Sequence, residues 1–215
     1  MKRTGFTLIM LFITASASLQ AVDHFMMELG SGVMWVHNEA YGKDGPGDQD
    51  PDPILFHLTL NFPLYFSENF YFNPGIGISA NSWQFVEDQG WAMPVDPMWQ
   101  DLYVMMLDLD LPVGFQLNFK SFSLSFYAGP QFNFRIPLWG EKQDVRNEMT
   151  NYFFSGGSFL NVLGGFSFVF PLSEKFAFTF RTESHIPLHN LWNDGGLPFS
   201  DGFTLSASAG ARFIW

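Results

Sequence analysis

The stretch FSLSFYAGPQFNFRIPLW, residues 122–139, decides the fold. Every even position from Phe122 to Leu138 is apolar, while the odd positions run Ser123, Ser125, Tyr127, Gly129, Gln131, Asn133, Arg135, Pro137. Strict alternation means a β-strand, because successive side chains point to opposite faces. The strand is longer than ordinary soluble sheets use, and long enough to cross a bilayer at a tilt.

The same pattern recurs outward in both directions. Phe25–Trp35 alternates against Glu28, Gly30 and Gly32, and Phe56–Leu64 against His57, Thr59 and Asn61. Phe70–Ala80 alternates against Asn73, Gly75, Gly77 and Ser79, and Leu107–Leu117 against Asp108, Asp110, Gly114 and Gln116. After the opening stretch come Leu160–Phe170, Phe176–Leu188 and Phe203–Trp215. Eight strands, an even number, predict a closed antiparallel up-and-down barrel.

The connections alternate too. Short ones lie near Ser67–Asn69, Phe119–Ser121 and Ser173–Lys175; long ones cover roughly 37–53, 86–101, 139–158 and 189–202. NFPLYFSENFYF, DLPVGFQLNFKSFSL and VFPLSEKFAF repeat one hairpin plan, with Pro63, Pro112 and Pro171 near the short turns. Each proline removes a ladder donor, so water or a bulge is expected to compensate.

Periodicity alone leaves open which face is wet. A soluble barrel would turn its apolar face inward around a ligand. Here the polar face is rich in Gly, Ser and Asn and poor in Lys and Glu, which suits a crowded interior better than a solvated exterior. Phe62, Phe66, Phe70, Phe119, Phe122 and Phe176 gather at the short turns. Trp35, Trp83, Trp91, Trp99, Trp139 and Trp192 gather at the long-loop end. Two aromatic belts around an aliphatic band are the girdles of a membrane barrel. The expectation is therefore an all-β chain, an eight-stranded antiparallel up-and-down transmembrane β-barrel with lipid outside.

The N-terminus reads MKRTGFTLIMLFITASASLQA: a basic start, a short apolar core and a small-residue tail. It predicts a signal peptide over 1–21 and a barrel domain over 22–215. Removing Lys2 and Arg3 takes the formal charge from −11 to −13. Such a charge argues against a nucleic-acid partner. Cysteine is absent, so disulfides, thiol chemistry and a lipid-anchored Cys are excluded.

The final residues, SAGARFIW, place a polar Ser208, then Gly210, Phe213 and the terminal Trp215. They resemble the C-terminal signal of outer-membrane barrels, and the whole mature chain resembles the small barrels of the OmpA-transmembrane-domain, OmpX and OmpW kind. The resemblance implies a cell outer membrane location with periplasmic termini, contact with outer-membrane lipid, and recognition of the last strand by the barrel assembly machinery. It also implies a monomer. Within the OmpW-like subset it implies an apolar mouth for small hydrophobic solutes, for which Trp83, Trp91, Met93, Met98, Trp99 and Met105 are candidates.

With lipid outside, the lumen-facing ionisable groups are Glu28, His57, Asp108, Asp110, Arg135, Arg181, Glu183, His185 and Arg212. Buried charges must pair. Glu28, Asp110, Arg181 and Glu183 lie at middle depth and are expected to form a crossing network, with Asp108 the expected partner of Arg135. The plain reading is a polar plug; the sharper one is a narrow proton, ion or solute path, since true porins need about 16 strands. Glu183-Ser184-His185 invites a hydrolase reading, but alternation sends Ser184 to the other face from its neighbours. Catalysis is not expected, and no cofactor is called for. Asp44, Asp48, Asp50 and Asp52 form a weak Ca²⁺ candidate that lacks the glycine and distal Glu of an EF-hand loop. More simply, the acidic loops present a charged surface to an extracellular ligand.

Overall fold

The computed structural model describes residues 25–37, 54–86, 91–95, 102–140, 143–154, 159–191 and 202–215. Its strand segments are β1 (Met26–Val36), β2 (Ile54–Asn61), β3 (Leu64–Tyr65), β4 (Phe70–Phe72), β5 (Gly75–Val86) and β6 (Trp91–Pro94). They continue with β7 (Leu102–Asp110), β8 (Val113–Asn118), β9 (Ser123–Gly140), β10 (Leu160–Ser173), β11 (Phe176–Pro187) and β12 (Thr204–Ile214). Antiparallel pairing runs β1–β2–β5–β7–β9–β10–β11–β12, and β12 returns to β1, from Met26↔Ile214 to Val36↔Thr204. The sheet therefore closes on itself as an eight-stranded antiparallel barrel, with β3, β4 and β8 completing its staves at the short-turn end. Closure removes the unpaired sheet edges that a bilayer would not tolerate.

The opening stretch becomes β9, the longest strand, paired with β7 and β8 on one side and β10 on the other. Alternation is carried into burial. In β2, Phe56 and Leu58 are 62% and 48% exposed while His57 and Thr59 between them are buried. Ile76, Ile78, Phe126, Phe166, Phe178 and Leu205 face outward on other staves, which makes the exterior apolar. At the short-turn end the aromatics touch one another: Phe119 stacks on Phe122 at 4.8 Å, Phe70 lies 5.1 Å from Phe115, and Phe176 lies 5.5 Å from Phe213.

The prolines break staves without opening the wall. Pro63 falls between β2 and β3, Pro74 between β4 and β5, and Pro112 between β7 and β8. Phe62 N donates to Pro74 O at 2.9 Å, Asn73 N to Pro112 O at 3.0 Å, and Leu111 N to Pro130 O at 3.0 Å. Proline lacks a donor but keeps its carbonyl, so the ladder continues through the acceptors. At Pro171 a register shift follows in the pairing with β11, the expected bulge.

Below this row Tyr71 lies opposite Gly114 and is fully buried. A Cβ on Gly114 would sit 2.3 Å from Tyr71 Cζ, so the ring occupies the space the glycine leaves open. Gly114→Ala is expected to cost about 1–3 kcal/mol by overpacking, read as a lower urea midpoint for the folded form in micelles. An unchanged midpoint would mean that the ring can move aside.

Two long connections differ from the expectation of irregular loops. In the second, β5 extends to Val86 and β6 returns against it, from Trp83↔Pro94 to Val86↔Trp91. In the third, Gln143–Phe154 forms a helix, α1. Val145, Met149 and Phe153 recur on one helical face and are buried, whereas Asn147, Glu148 and Asn151 are exposed. The apolar face packs with Met34, Val36, Leu55, Trp83, Leu102, Val104 and Met106, which point inward from the upper parts of β1, β2, β5 and β7. The long-loop end of the barrel thus has an apolar interior stoppered by a helix. A bulge helps to seat it: Tyr103 pairs with Trp139 but Val104 with Pro137, leaving Leu138 unmatched, and the Leu138 carbonyl accepts from Arg146 of α1.

Candidate functional site: the barrel lumen

Glu28 sits on β1 directly opposite Arg212 of β12, and this register makes the first ion pair. Glu28 Oε2 lies 2.9 Å from Arg212 Nη2 and 3.1 Å from its Nε, a two-pronged contact. Arg181, on β11, crosses the lumen: its Nη2 donates to Glu28 Oε1 at 2.9 Å, and its Nη1 to Glu183 Oε1 at 3.1 Å. Nη1 also meets Asn61 Oδ1 at 3.2 Å, and the guanidinium lies 5.1 Å from the centre of the Tyr127 ring. All four ionised side chains are almost fully buried. Arg212 further reaches Tyr65 Oη at 3.4 Å, and that hydroxyl donates to Gln116, which accepts from Ser125 as well. One network therefore ties β1, β2, β3, β8, β9, β11 and β12 together across the barrel.

The predicted membership needs two corrections. Asp110 is not joined to Arg181; its Oδ1 accepts from Gln131 Nε2 at 2.9 Å, and Arg212 takes the place expected of it. Nor does Arg135 pair directly with Asp108. Asn133 stands between them, donating through Nδ2 to Asp108 and accepting from Arg135 Nε at 2.7 Å. Both errors have one cause: an amide on the adjacent strand lies nearer than the charge chosen from sequence depth.

Gln131 is a second hub that sequence inspection passed over. Its Oε1 accepts from Asn161 Nδ2 at 2.9 Å and lies 2.8 Å from His185 Nδ1. His185 Nε2 stands 3.9 Å from Glu183 Oε2. His57 is buried on β2 and faces the same interior. Neutral amides drew no attention because they carry no charge, although their inward phase was already legible.

Above the network a cavity of about 60 Å³ separates the polar storey from the apolar one. Its lining mixes polar Asp108, Asn133, Arg135, His185 and His189 with apolar Met34, Val36, Leu55, Trp83 and Met106. The Arg135 guanidinium lies 5.3 Å from the Trp83 ring centre and 5.6 Å from that of Phe153 on α1. His189, in the 3₁₀ turn Leu188–Leu191 beyond β11, is pushed down to about 4 by burial and by the Arg135 charge, so it is neutral at neutral pH.

The mouth candidates divide. Trp83 does line the cavity and is buried inside the barrel, which corrects its placement in an interfacial belt. Met105 pairs with Ala80 and Ile136 on the outward phase, and Met106 takes the inward place. Trp91 and Met93 lie on β6, and Met98 and Trp99 lie outside the described residues. The acidic cluster Asp44, Asp48, Asp50 and Asp52 lies outside them too. Ser184 Oγ donates to Gly164 O at 3.2 Å on the outer phase of β11, while Glu183 and His185 are buried within, so these three side chains do not converge. In the terminal motif, Ser208 and Gly210 face Gly32 and Gly30 of β1, Phe213 lies against Phe176, and Trp215 is exposed beside Phe25.

No protein-family model matches the chain, and no curated protein sequence matches it. Among solved structures it is similar to Neisserial surface protein A, with 7% identity, coverage of 89% of this chain and 97% of that one, and a TM-score of 0.53. It also aligns with Ail, the attachment invasion locus protein of Yersinia pestis, in complex with the heparin analogue sucrose octasulfate. That alignment has 12% identity, coverage of 89% and 98%, and a TM-score of 0.47. A third alignment is to OprG, an outer membrane protein of Pseudomonas aeruginosa, with 10% identity, coverage of 88% and 95%, and a TM-score of 0.41. At these identities the likeness is one of fold. Closure, the apolar exterior and the polar lumen define the class: the chain has the fold of a small eight-stranded antiparallel transmembrane β-barrel.

Proposed function

We propose that the protein is a non-conducting resident of the cell outer membrane, a monomer whose barrel is a rigid mount and whose work is done at the long-loop, extracellular end. The single observation that supports this most is the double closure of the lumen. The Glu28–Arg181–Glu183–Arg212 network crosses it at one level. Helix α1 stoppers it at the other through Met149 and Phe153. A solute would have to dislodge both. In this reading residues 1–21 are removed on export, both termini are periplasmic, and the strand ending in Ser208, Gly210, Phe213 and Trp215 is what the assembly machinery engages. The acidic loops then face outward as the interaction surface.

Planar-bilayer recording of the purified protein is expected to show no stepwise conductance at neutral pH. Discrete channel openings that disappear when the protein is omitted would overturn the reading in favour of a narrow transporter.

A further inference from the structure

The geometry points to a binding site for a short-chain carboxylate, of about four to six non-hydrogen atoms, in the cavity between α1 and the lumen network. This goes beyond the surface role proposed above, since it assigns a ligand to an interior space.

The first observation is a cation with no direct carboxylate contact among the described residues. Arg181 and Arg212 each hold a carboxylate within 3.1 Å, but no carboxylate lies within 4 Å of Arg135 among the described residues. Its Nε is taken by Asn133, and no partner among the described residues meets its two terminal amino groups. Its aromatic neighbours, Trp83 and Phe153, offer ring faces, which orient a guanidinium without neutralising it. A planar guanidinium fork at the wall of a cavity is matched in shape and charge by a carboxylate.

The second observation is the surroundings. Trp83 Nε1, both ring nitrogens of His189 and Thr204 Oγ1 are buried in the same wall without protein partners. Trp83 Nε1 can only donate, and neutral His189 and Thr204 can each donate one hydrogen bond, so a guest with acceptor oxygens can be met by all three. Asp108 also lines the space, but one of its oxygens is tied to Asn133, and Asp110 is not part of the wall. The lining also has an apolar part, which includes Met34, Val36 and Leu55. A guest with a charged head and a short alkyl tail meets both parts. The size follows from the volume of about 60 Å³, since each water-sized guest needs about 10–15 Å³ of such space. The lining runs to Pro94, Pro187 and Gly202 at the strand tips, which places its approach at the long-loop end.

The test uses the whole protein in neutral detergent, with saturation-transfer NMR titrations of acetate, propionate, butyrate, octanoate, propionamide and propylammonium. Propionate and butyrate are expected to bind saturably, with octanoate excluded and propionamide at least tenfold weaker. Arg135→Gln is expected to weaken butyrate at least tenfold, and Arg135→Lys less, because the charge survives while the fork is lost. Should Arg135→Gln fail to fold, Val36→Phe shortens the apolar end and is expected to shift preference from butyrate to acetate. Three results would overturn the assignment: no saturable binding of any short carboxylate, equal binding of propionamide, or preferential binding of propylammonium. Butyrate affinity unchanged by Arg135→Gln in folded protein would do the same.

Discussion

Replacing Glu28 by alanine is expected to lower the unfolding free energy of the barrel by about 3–5 kcal/mol, the largest effect of any single substitution in the lumen. Glu28 is the carboxylate shared by two buried guanidiniums, at 2.9 Å from each. Without it, Arg181 keeps Glu183 and Asn61, but Arg212 is left with a 3.4 Å contact to the Tyr65 hydroxyl. A charge removed from water and deprived of its counterion is far more costly than the pair was stabilising. That asymmetry predicts the companion result. The double change Glu28→Met with Arg212→Leu should recover most of the loss, because charge and countercharge leave together. Equilibrium urea unfolding in lipid vesicles checks both, with Glu28→Met and Arg212→Leu measured singly to close a double-mutant cycle. If the double variant were as unstable as Glu28→Ala, packing rather than charge would be the reason.

Phe153→Ala is expected to act differently, releasing α1 without unfolding the barrel. Phe153 is 1% exposed and meets the Trp83 ring edge-on at 5.0 Å. Truncating a buried Phe costs about 3–5 kcal/mol. Here the loss falls on a twelve-residue helix whose described anchors include Val145, Met149, Phe153, the partly buried Tyr152 and the Arg146 contact to the Leu138 carbonyl. Such a unit opens locally, since the strand ladder does not depend on it. Hydrogen exchange of the α1 amides should quicken by at least a hundredfold, while amides of β11 and β12 and the urea midpoint stay as in the parent protein. Exchange that quickened equally in the strands would mean that helix and barrel unfold as one.

The strands were legible because a closed barrel leaves each residue two choices, lipid or lumen, and alternation writes that choice into every stave. Phe56 and Leu58 against His57 and Thr59 can be sorted with no knowledge of their neighbours. The plug was harder to read. Val145, Met149 and Phe153 do carry a helical spacing, but lying between two strands in a polar stretch they read as loop. The inward Met34, Val36, Leu102 and Val104 were the missing signal, because apolar residues on the wet phase need something apolar to cover them. Arg135 falls on the polar phase by alternation, yet its neighbour Asn133 decides which group it touches.

By itself, then, the chain determined the barrel, the number of its staves and the face each side chain takes, because period-two alternation is a local property. Tertiary structure decided who pairs with whom: Arg181 reaches Glu28 across 153 residues of chain, and α1 packs on apolar side chains from β1, β2, β5, β6 and β7. Those contacts depend on strand tilt, register and side-chain reach across a closed interior, and none of these is written in any single strand.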